Sequence, residues 1–231
     1  MEVLSWDLHK KIAELAGVSV GTVDRALHNR GWVDPKVAEW IRPIARELSY
    51  RPNTVAKSLN FCPDWPQDKG GKSMNIQSLD TTNYRENVNS YIRYLWGGPT
   101  VVTLGNLYDT SNLPGFAAVG DGALLGAILY RLDNDECEIS ALFSLVQGIG
   151  AGTKLLDAVI GTAKKNGVRR VWLITTNDDT QAMRFYQKYG FKLKAVHIGA
   201  FEVTRKLKNG LPSLGNDNIP IEHEFEFELF L

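Results

Sequence analysis

The feature that most constrains the fold of this 231-residue chain is a change of hydrophobic pattern part-way along it. In residues 1–60 the apolar residues recur at helical spacing and strand signals are scarce. From residue 74 onward, strand-like runs alternate with helical ones, and residues 221–229 alternate acidic and apolar side chains, as in a half-buried strand. We therefore predict an α+β protein with an all-α domain at residues 1–60 and an α+β domain at residues 74–231.

The stretch between these domains, residues 61–73, has the composition of a linker. It holds two prolines and two glycines and shows no hydrophobic period. We predict that the domain boundary lies here.

The overall composition excludes several classes of protein. With 44% hydrophobic residues and 26 basic against 26 acidic side chains, the chain is neither disordered nor fibrous. No apolar run reaches the roughly 20 residues that span a bilayer, and the first residues lack a secretory signal. We therefore expect a cytoplasmic protein that contacts no membrane. Its cysteines, Cys62 and Cys137, and its four histidines show no metal-ligand spacing, so we expect no bound metal.

The N-terminal domain is predicted to contain three short helices. Gly17 ends the first helix, and Ser19 can cap the second through its hydroxyl oxygen. Asp34 precedes the third helix, which runs to about Leu48 and carries Trp40 in its apolar stripe. Two helices joined by a tight turn and packed on a third form a helix-turn-helix, whose second helix enters the major groove of DNA.

The longer string from Ile12 to Leu59 resembles the DNA-binding headpiece of the LacI family of bacterial transcription regulators. The resemblance implies that double-stranded DNA is a partner, that Arg25 donates two hydrogen bonds to a guanine, and that Leu59 inserts into the minor groove. The DNA-binding residues that it implies are Ser19, Val20, Gly21, Thr22, Arg25, Asn29 and Leu59.

The second domain departs from the LacI pattern, because the family's two-lobed effector domain has no counterpart in this sequence. In the family, two headpieces pair on the DNA. We therefore expect the second domain to bring the headpieces together and the protein to be a homodimer.

A glycine-rich turn, residues 145–153, stands between a predicted strand and a predicted helix. Backbone N–H groups at such a turn point outward, the helix dipole adds partial positive charge, and Gly148, Gly150 and Gly152 let an anion approach closely. The turn lacks the Gly-Lys-Ser/Thr of a Walker loop. It predicts a phosphate cradle or, as an alternative, a purely structural tight turn.

The pattern Q-x-x-G-x-G at residues 147–152, followed after a strand by Y-x-x-x-G-F at residues 186–191, resembles the acetyl-CoA motif of the GNAT superfamily of N-acetyltransferases. The resemblance covers about residues 74–231. It implies a GNAT fold, with a mixed, largely antiparallel central sheet flanked by helices, and acetyl-CoA as cosubstrate. The cofactor-binding residues that it implies are Leu145, Gln147, Gly148, Ile149, Gly150, Ala151, Gly152, Thr153, Asn177 and Tyr186.

The chemistry of acetyl transfer to an amine assigns roles to two further groups. A lysine-like amine has a pKa of about 10.4 and must lose a proton before it attacks a thioester, so a base is needed. The resemblance places Glu138 in that role, and the alternative is that Glu138 is a solvent-facing strand residue. It places Tyr186 as the acid that protonates the leaving thiolate, with Tyr189 as a less favoured substitute. A backbone N–H group around residues 142–144 would bind the thioester oxygen.

The acceptor, a small-molecule amine or a protein amine, stays open at this stage. Tyr94, Trp96 and the Gly115–Phe116 segment lie where acceptor pockets form in proteins that this chain resembles. We predict an acetyl-CoA-dependent N-acetyltransferase that carries a sequence-specific DNA-binding headpiece. The alternative is a transcription regulator whose GNAT-like domain is a non-catalytic sensor of acetyl-CoA or another small ligand. A third possibility is a headpiece that serves only for association.

Overall fold

The computed structural model describes residues 5–28, 34–48 and 73–231. The chain divides into two compact units, Met1–Ser58 and Leu59–Leu231.

Some of the sequence predictions lie outside the described residues. These are the DNA contacts at Asn29 and Leu59, the side chain of Arg25 and residues 61–72 of the linker. They stay predictions.

The first unit contains three helices in its described residues: α1 (Ser5–Ala16), α2 (Val20–His28) and α3 (Pro35–Glu47). The predicted helix ends are confirmed. Gly17 follows α1 with a φ of +65°, a conformation that favours glycine. The N–H group of Thr22 donates to Oγ of Ser19 at 3.1 Å, and that of Lys36 donates to Oδ1 of Asp34 at 2.8 Å. Ser19 and Asp34 therefore cap the helices that follow them.

The three helices bury a small common core. Its buried residues are Ile12, Ala13, Val23, Ala26, Ile41 and Ala45. Trp40, in the predicted apolar stripe of α3, does not pack into this core, because its side chain is 65% exposed. The packed row of α3 follows the i, i+4 spacing of Val37, Ile41 and Ala45, and Trp40 lies one residue away from it.

The second unit is a sheet flanked by helices, as the sequence predicts. Its elements, in chain order, are β1 (Asn75–Ser78), α4 (Arg85–Trp96), β2 (Thr100–Thr103), β3 (Asn106–Asp109), β4 (Gly115–Gly120), β5 (Ala123–Asp133), β6 (Glu136–Ser144), α5 (Ala151–Lys165), β7 (Arg170–Thr176), α6 (Thr180–Tyr189), β8 (Lys192–His197), α7 (Phe201–Leu207), a 3₁₀ turn (Asn216–Asn218) and β9 (Glu224–Phe230). Strands β2 and β3 form a separate hairpin.

The main sheet has seven strands in the order β1-β4-β5-β6-β7-β9-β8. All its neighbouring strands are antiparallel except β6 and β7, which run parallel. This is the mixed, largely antiparallel sheet that the GNAT resemblance implies.

Two hydrophobic layers cover the sheet. On one face, Leu155 and Val159 of α5 share a buried cluster with Tyr186 of α6 and Phe227 of β9. On the other face, Val88, Tyr91 and Ile92 of α4 pack with residues of β4, β5 and β6. The two faces are called the α5/α6 face and the α4 face below.

The structure also contains elements that the sequence reading missed. The short strand β3 and the seven-residue helix α7 were not expected. The Gly115–Phe116 segment belongs to a strand, and its predicted place near the acceptor pocket stays a prediction. It begins β4, and the ring of Phe116 stacks on Tyr130 at 6.1 Å between centroids.

Across residues 5–28, 34–48 and 73–231, every helix is too short or too polar to cross a membrane.

Candidate functional site

Strands β6 and β7 separate part-way along their length. Their pairing runs from Glu136 opposite Arg170 to Ile139 opposite Leu173, although β6 continues to Ser144 and β7 to Thr176. A bulge lies where the separation begins, since Ile139 pairs with Tyr130 and Ala141 with Leu129, which leaves Ser140 as the extra residue. The sheet is therefore open between the C-terminal ends of β6 and β7.

Two backbone N–H groups of β6 face this opening. The N–H group of Leu145 donates to the carbonyl oxygen of Leu125 at 2.8 Å, toward β5. Successive peptide groups of a strand point in opposite directions, so the N–H groups of Ser144 and Leu142 point toward β7. These are two of the three residues at which the sequence predicts an oxyanion donor.

The glycine-rich turn follows directly after β6 and begins α5. Within residues 73–231, none of the seven N–H groups from Gln147 to Thr153 donates to a backbone or side-chain acceptor, and the first N–H group that does is that of Lys154, to Gly150 at 3.1 Å. The positive end of the α5 dipole lies at the same place. This arrangement suits an anionic ligand such as a phosphate group.

Two glycines give the turn its shape. Gly148 and Gly150 have φ values of +79° and +81°, which residues with side chains rarely adopt. Gly152 is needed for space, because a Cβ atom there would lie 3.1 Å from the ring of Phe185 on α6. The turn is therefore shaped by α6 as well as by its own backbone.

Tyr186 lies on the α5/α6 face of the sheet, buried against Phe185, Phe191 and Phe227. Burial, and to a lesser extent the charge of Asp179, raises the pKa of its hydroxyl group well above the usual range. The hydroxyl group forms no hydrogen bond with the described part of the chain. It therefore keeps its proton and is able to donate it. Tyr189 is already engaged, since its hydroxyl group donates to Oδ1 of Asp157 at 2.5 Å.

Asn177 has a structural task. Its Nδ2 donates to the carbonyl oxygen of Pro220 at 2.8 Å, and its Oδ1 accepts from the N–H groups of Glu222 and His223. The residue thus holds the segment that leads into β9, and most of its hydrogen-bonding capacity is used there. Its predicted contact with the cofactor stays a prediction.

Asp179 caps α6. Its Oδ1 accepts from the N–H group of Ala182 at 3.0 Å. Burial raises the pKa of this carboxyl group, and the hydrogen bond from Ala182 opposes that shift.

Glu138 lies on the α4 face of the sheet and is 4% exposed, so the solvent-facing alternative is wrong. Its Oε1 accepts from Oγ1 of Thr103 at 2.8 Å, and its Oε2 accepts from Arg131, with Nε at 3.1 Å. Both carboxylate oxygens are therefore occupied within the protein. Its assignment as the general base stays a prediction.

The sequence reading missed a row of acids on the same face. The strand β9 was expected to expose its glutamates, yet Glu224 and Glu226 are both buried. Arg170 pairs with Glu226 and with Glu228, and Nε2 of His197 lies 3.0 Å from Oε2 of Glu226. The strict alternation of residues 221–229 was the available signal, but it could not indicate that α7 adds to the burial of one of these acids.

Comparison with known proteins identifies this unit. Residues 77–191 match the model of the acetyltransferase (GNAT) family. The chain is 39% identical over 133 residues to the uncharacterized protein YdhI of Bacillus subtilis (strain 168), an alignment that covers 57% of this chain and 83% of YdhI. The chain belongs to the GNAT family of acetyltransferases. The crystal structure of a Bacillus subtilis acetyltransferase in complex with CoA has the same fold as the GNAT unit, with a TM-score of 0.51 and 19% identity over 69% of this chain and 99% of the other.

The N-terminal unit of this GNAT protein is a LacI-type DNA-binding domain. Residues 10–53 match the model of the bacterial regulatory proteins of the lacI family. The chain is 44% identical over 48 residues to the sucrose operon repressor of Pediococcus pentosaceus, which is 21% of this chain and 15% of the repressor.

The structure describes four of the seven predicted DNA contacts, all near the start of α2. Ser19 is exposed, and its Oγ lies 2.9 Å from Oγ1 of Thr22. Val20 is half-buried against the helical core, and Gly21 follows it on α2. The four residues therefore occupy one end of the predicted recognition helix.

The described residues of the GNAT protein contain no cluster of three or more histidine, cysteine, aspartate or glutamate side chains able to hold a metal ion.

Proposed function

We propose that this protein is an acetyl-CoA-dependent N-acetyltransferase that transfers the acetyl group directly to a primary amine. The observation that carries the proposal is the row of seven N–H groups from Gln147 to Thr153, which have no acceptor among the described residues and follow β6 at its opening from β7. Such a row binds a diphosphate through backbone donors and the helix dipole. The crystal structure with CoA, named above, supports the choice of coenzyme.

The residues present fit this coenzyme. Gly148 and Gly150 allow the tight turn through their positive φ values, and Gly152 keeps the start of α5 free of a side chain. Backbone N–H groups would hold the diphosphate, and the opening would take the pantetheine arm. Bound acetyl-CoA would supply an activated acetyl group as a thioester.

The chain's own groups then have defined tasks. The N–H group of Leu142 or Ser144 donates to the carbonyl oxygen on which negative charge develops during attack. Tyr186, which keeps its proton, donates it to the departing sulfur.

We further propose that the LacI-type domain binds double-stranded DNA and that two copies pair to do so. Arg25 would read a guanine, and Ser19 and Thr22 would contact phosphates near the start of α2. The protein would act where its DNA site is, in the cytoplasm.

A regulator with a non-catalytic acetyl-CoA sensor is the second candidate. The hydrogen bonding of Glu138 favours this second candidate, because a carboxylate held by Arg131 and Thr103 is not free to accept a proton from an amine. Coupling of about 1–3 kcal/mol between the ligand and DNA sites would suffice for regulation.

Two measurements on the full chain separate these candidates. Titration calorimetry with acetyl-CoA is expected to show binding. The absence of a binding signal would contradict both the enzyme and the sensor. Incubation of the protein with acetyl-CoA and a panel of primary amines is expected to release free CoA thiol. Binding of acetyl-CoA without thiol release for any amine would contradict the acetyltransferase and support the non-catalytic sensor.

A further inference from the structure

Glu224 is a buried carboxylate with one free oxygen. Its residue is 2% exposed. Its Oε1 accepts from Oγ1 of Thr204 on α7 at 2.6 Å, whereas its Oε2 has no hydrogen-bond partner among the described residues. A buried polar atom without a partner is costly, so it calls for an explanation in terms of a ligand.

The other acids of the same row are paired. Glu226 contacts Arg170 and His197, and Glu228 contacts Arg170 with Oε2 lying 2.8 Å from Nε. No comparable cation contacts Glu224 in the described part of the chain. Glu224 therefore differs from its neighbours in having no positively charged partner among the described residues.

The register places Glu224 level with the opening of the sheet but one strand away from it, across β7. It lies opposite Thr176, at the C-terminal end of β7 and three residues beyond Leu173, where pairing with β6 ends. Glu138, by contrast, lies opposite Trp172 in the paired part of β6 and β7. At roughly 3.3 Å per residue, Glu138 is about 13 Å further back along the sheet than Glu224.

Glu224 also lies on the α4 face, opposite to Tyr186. The apolar residue Phe227 of β9 packs with Tyr186 on the α5/α6 face, so the alternating glutamates of β9 point to the other one. The proposed proton donor and Glu224 therefore lie on opposite faces of the sheet, near the end of it where β6 and β7 separate.

Three further buried side-chain atoms have no hydrogen-bond partner among the described residues. They are Oδ1 of Asn89 and the hydroxyl group of Tyr91, both on α4, and Oγ of Ser140 on β6. The ring of Tyr91 contacts Phe143 of β6, with centroids 5.5 Å apart, and Ser140 is the bulge residue at which the opening begins. Burial raises the pKa of Tyr91 to about 12, so its hydroxyl group stays protonated as a donor.

We propose that Glu224 binds the ammonium group of the acceptor and removes its proton, which makes a cationic primary amine the substrate class. This inference rests on the proposed acetyltransferase function. A proton passes from the ammonium nitrogen to Oε2 of Glu224, and the nitrogen lone pair then forms a bond to the acetyl carbon while the carbon–sulfur bond breaks. The proton of the Tyr186 hydroxyl group passes to the sulfur. The acylated nitrogen releases its second proton to solvent, from which Tyr186 regains a proton, and Glu224 gives up the proton that it took, so one proton is released overall. The products are the N-acetylated amine and free CoA.

The test is the Glu224→Gln variant of the full chain. Glutamine keeps an oxygen that can accept from Thr204 but cannot take a proton from an ammonium group. Glu226→Gln is the matched control, with the same substitution on the same face of β9. We expect kcat/KM for the best amine to fall about 100-fold or more in Glu224→Gln and to stay within about threefold in Glu226→Gln, as loss of a general base predicts.

A second readout needs no turnover. Calorimetric titration of n-butylamine or 1,4-diaminobutane into the CoA-saturated protein is expected to show binding that Glu224→Gln weakens at least tenfold, while its CoA affinity is unchanged. Glu224→Asp, which keeps the charge, is expected to bind the amine more tightly than Glu224→Gln and covers the case in which the glutamine variant fails to fold.

The inference is overturned if Glu224→Gln retains activity and amine binding within threefold of the wild type, if Glu226→Gln loses as much, or if neither amine binds the wild type. These results differ from failure of the proposed function, in which acetyl-CoA itself does not bind.

Discussion

Arg131 and Glu138 lie opposite each other on β5 and β6 and form a partly buried ion pair, with Nε of the arginine 3.1 Å from Oε2 of the glutamate. The guanidinium group also lies 3.5 Å from the centre of the Tyr108 ring on β3. The hairpin of β2 and β3 thus covers the pair, since Thr103 of β2 binds the other carboxylate oxygen. These contacts indicate that Glu138 attaches the hairpin to the sheet.

Removing the charge of Glu138 should therefore affect stability more than catalysis. We expect Glu138→Gln to lower the free energy of unfolding by about 3 kcal/mol, because it leaves the Arg131 charge poorly compensated. The double variant Arg131→Met/Glu138→Leu should recover much of that loss. Urea unfolding of each purified variant measures both values. A Glu138→Gln protein of unchanged stability that has lost acetyl transfer would instead make Glu138 the base.

The glycine-rich turn can be tested by adding one methyl group. At Gly150, with its φ of +81°, alanine is strained, and we expect CoA affinity to fall about tenfold, the equivalent of roughly 1.4 kcal/mol, as the turn relaxes. Gly161→Ala is the matched control in the helix that follows, α5, where a Cβ atom has no neighbour within 4 Å. It should leave CoA affinity unchanged and raise stability by about 0.5 to 1 kcal/mol. Calorimetry and thermal unfolding are the measurements, and equal affinities for the two variants would contradict the cradle.

Cys137 should be inert in the folded protein. It is fully buried in the core, and burial, aided by the charge of Glu138, raises the pKa of its thiol to about 12. The reactive thiolate is therefore scarce at any pH below that value. A Cys62→Ser variant should resist a disulfide reagent at pH 8 and react with it in urea. Rapid labelling without urea would show that this part of the sheet opens, and it would also add background to the thiol-release assay.

Ser19 combines a capping role with a predicted phosphate contact, and two substitutions separate them. Ser19→Ala removes the acceptor for the Thr22 N–H group, and we expect a loss of about 1 kcal/mol in stability. Ser19→Asp keeps an acceptor, so the fold should be retained, but its charge should repel DNA phosphates. Fluorescence anisotropy at fixed salt, with duplexes that the wild type selects from a random pool, should show at least tenfold weaker binding for Ser19→Asp. Undiminished binding would place the phosphate contact elsewhere.

Much of the fold could be predicted from the sequence because its signals are local. Gly17, Ser19 and Asp34 fix helix ends through interactions with residues no more than four positions away. The glycine-rich turn between β6 and α5 is local in the same sense. Such features depend little on distant parts of the chain.

The environment of the acids could not be predicted, because it depends on distant elements. Glu138 is covered by Thr103, which lies 35 residues earlier in the chain, in the short hairpin of β2 and β3. Glu224 owes its one hydrogen bond to Thr204 of α7, a helix of seven residues with too few turns to give a clear period. An alternating strand tells which side chains share a face, but it cannot tell what covers that face.

The separation of β6 from β7 leaves the two halves of the sheet joined by only the four residue pairs that end at Ile139 and Leu173. A pantetheine arm has two amide groups of its own, so a coenzyme in the gap would act as a surrogate strand between the halves. Coenzyme binding would then reduce local opening of the sheet at residues distant from the ligand. Amide hydrogen exchange in β7 and β9 should therefore slow when the coenzyme binds.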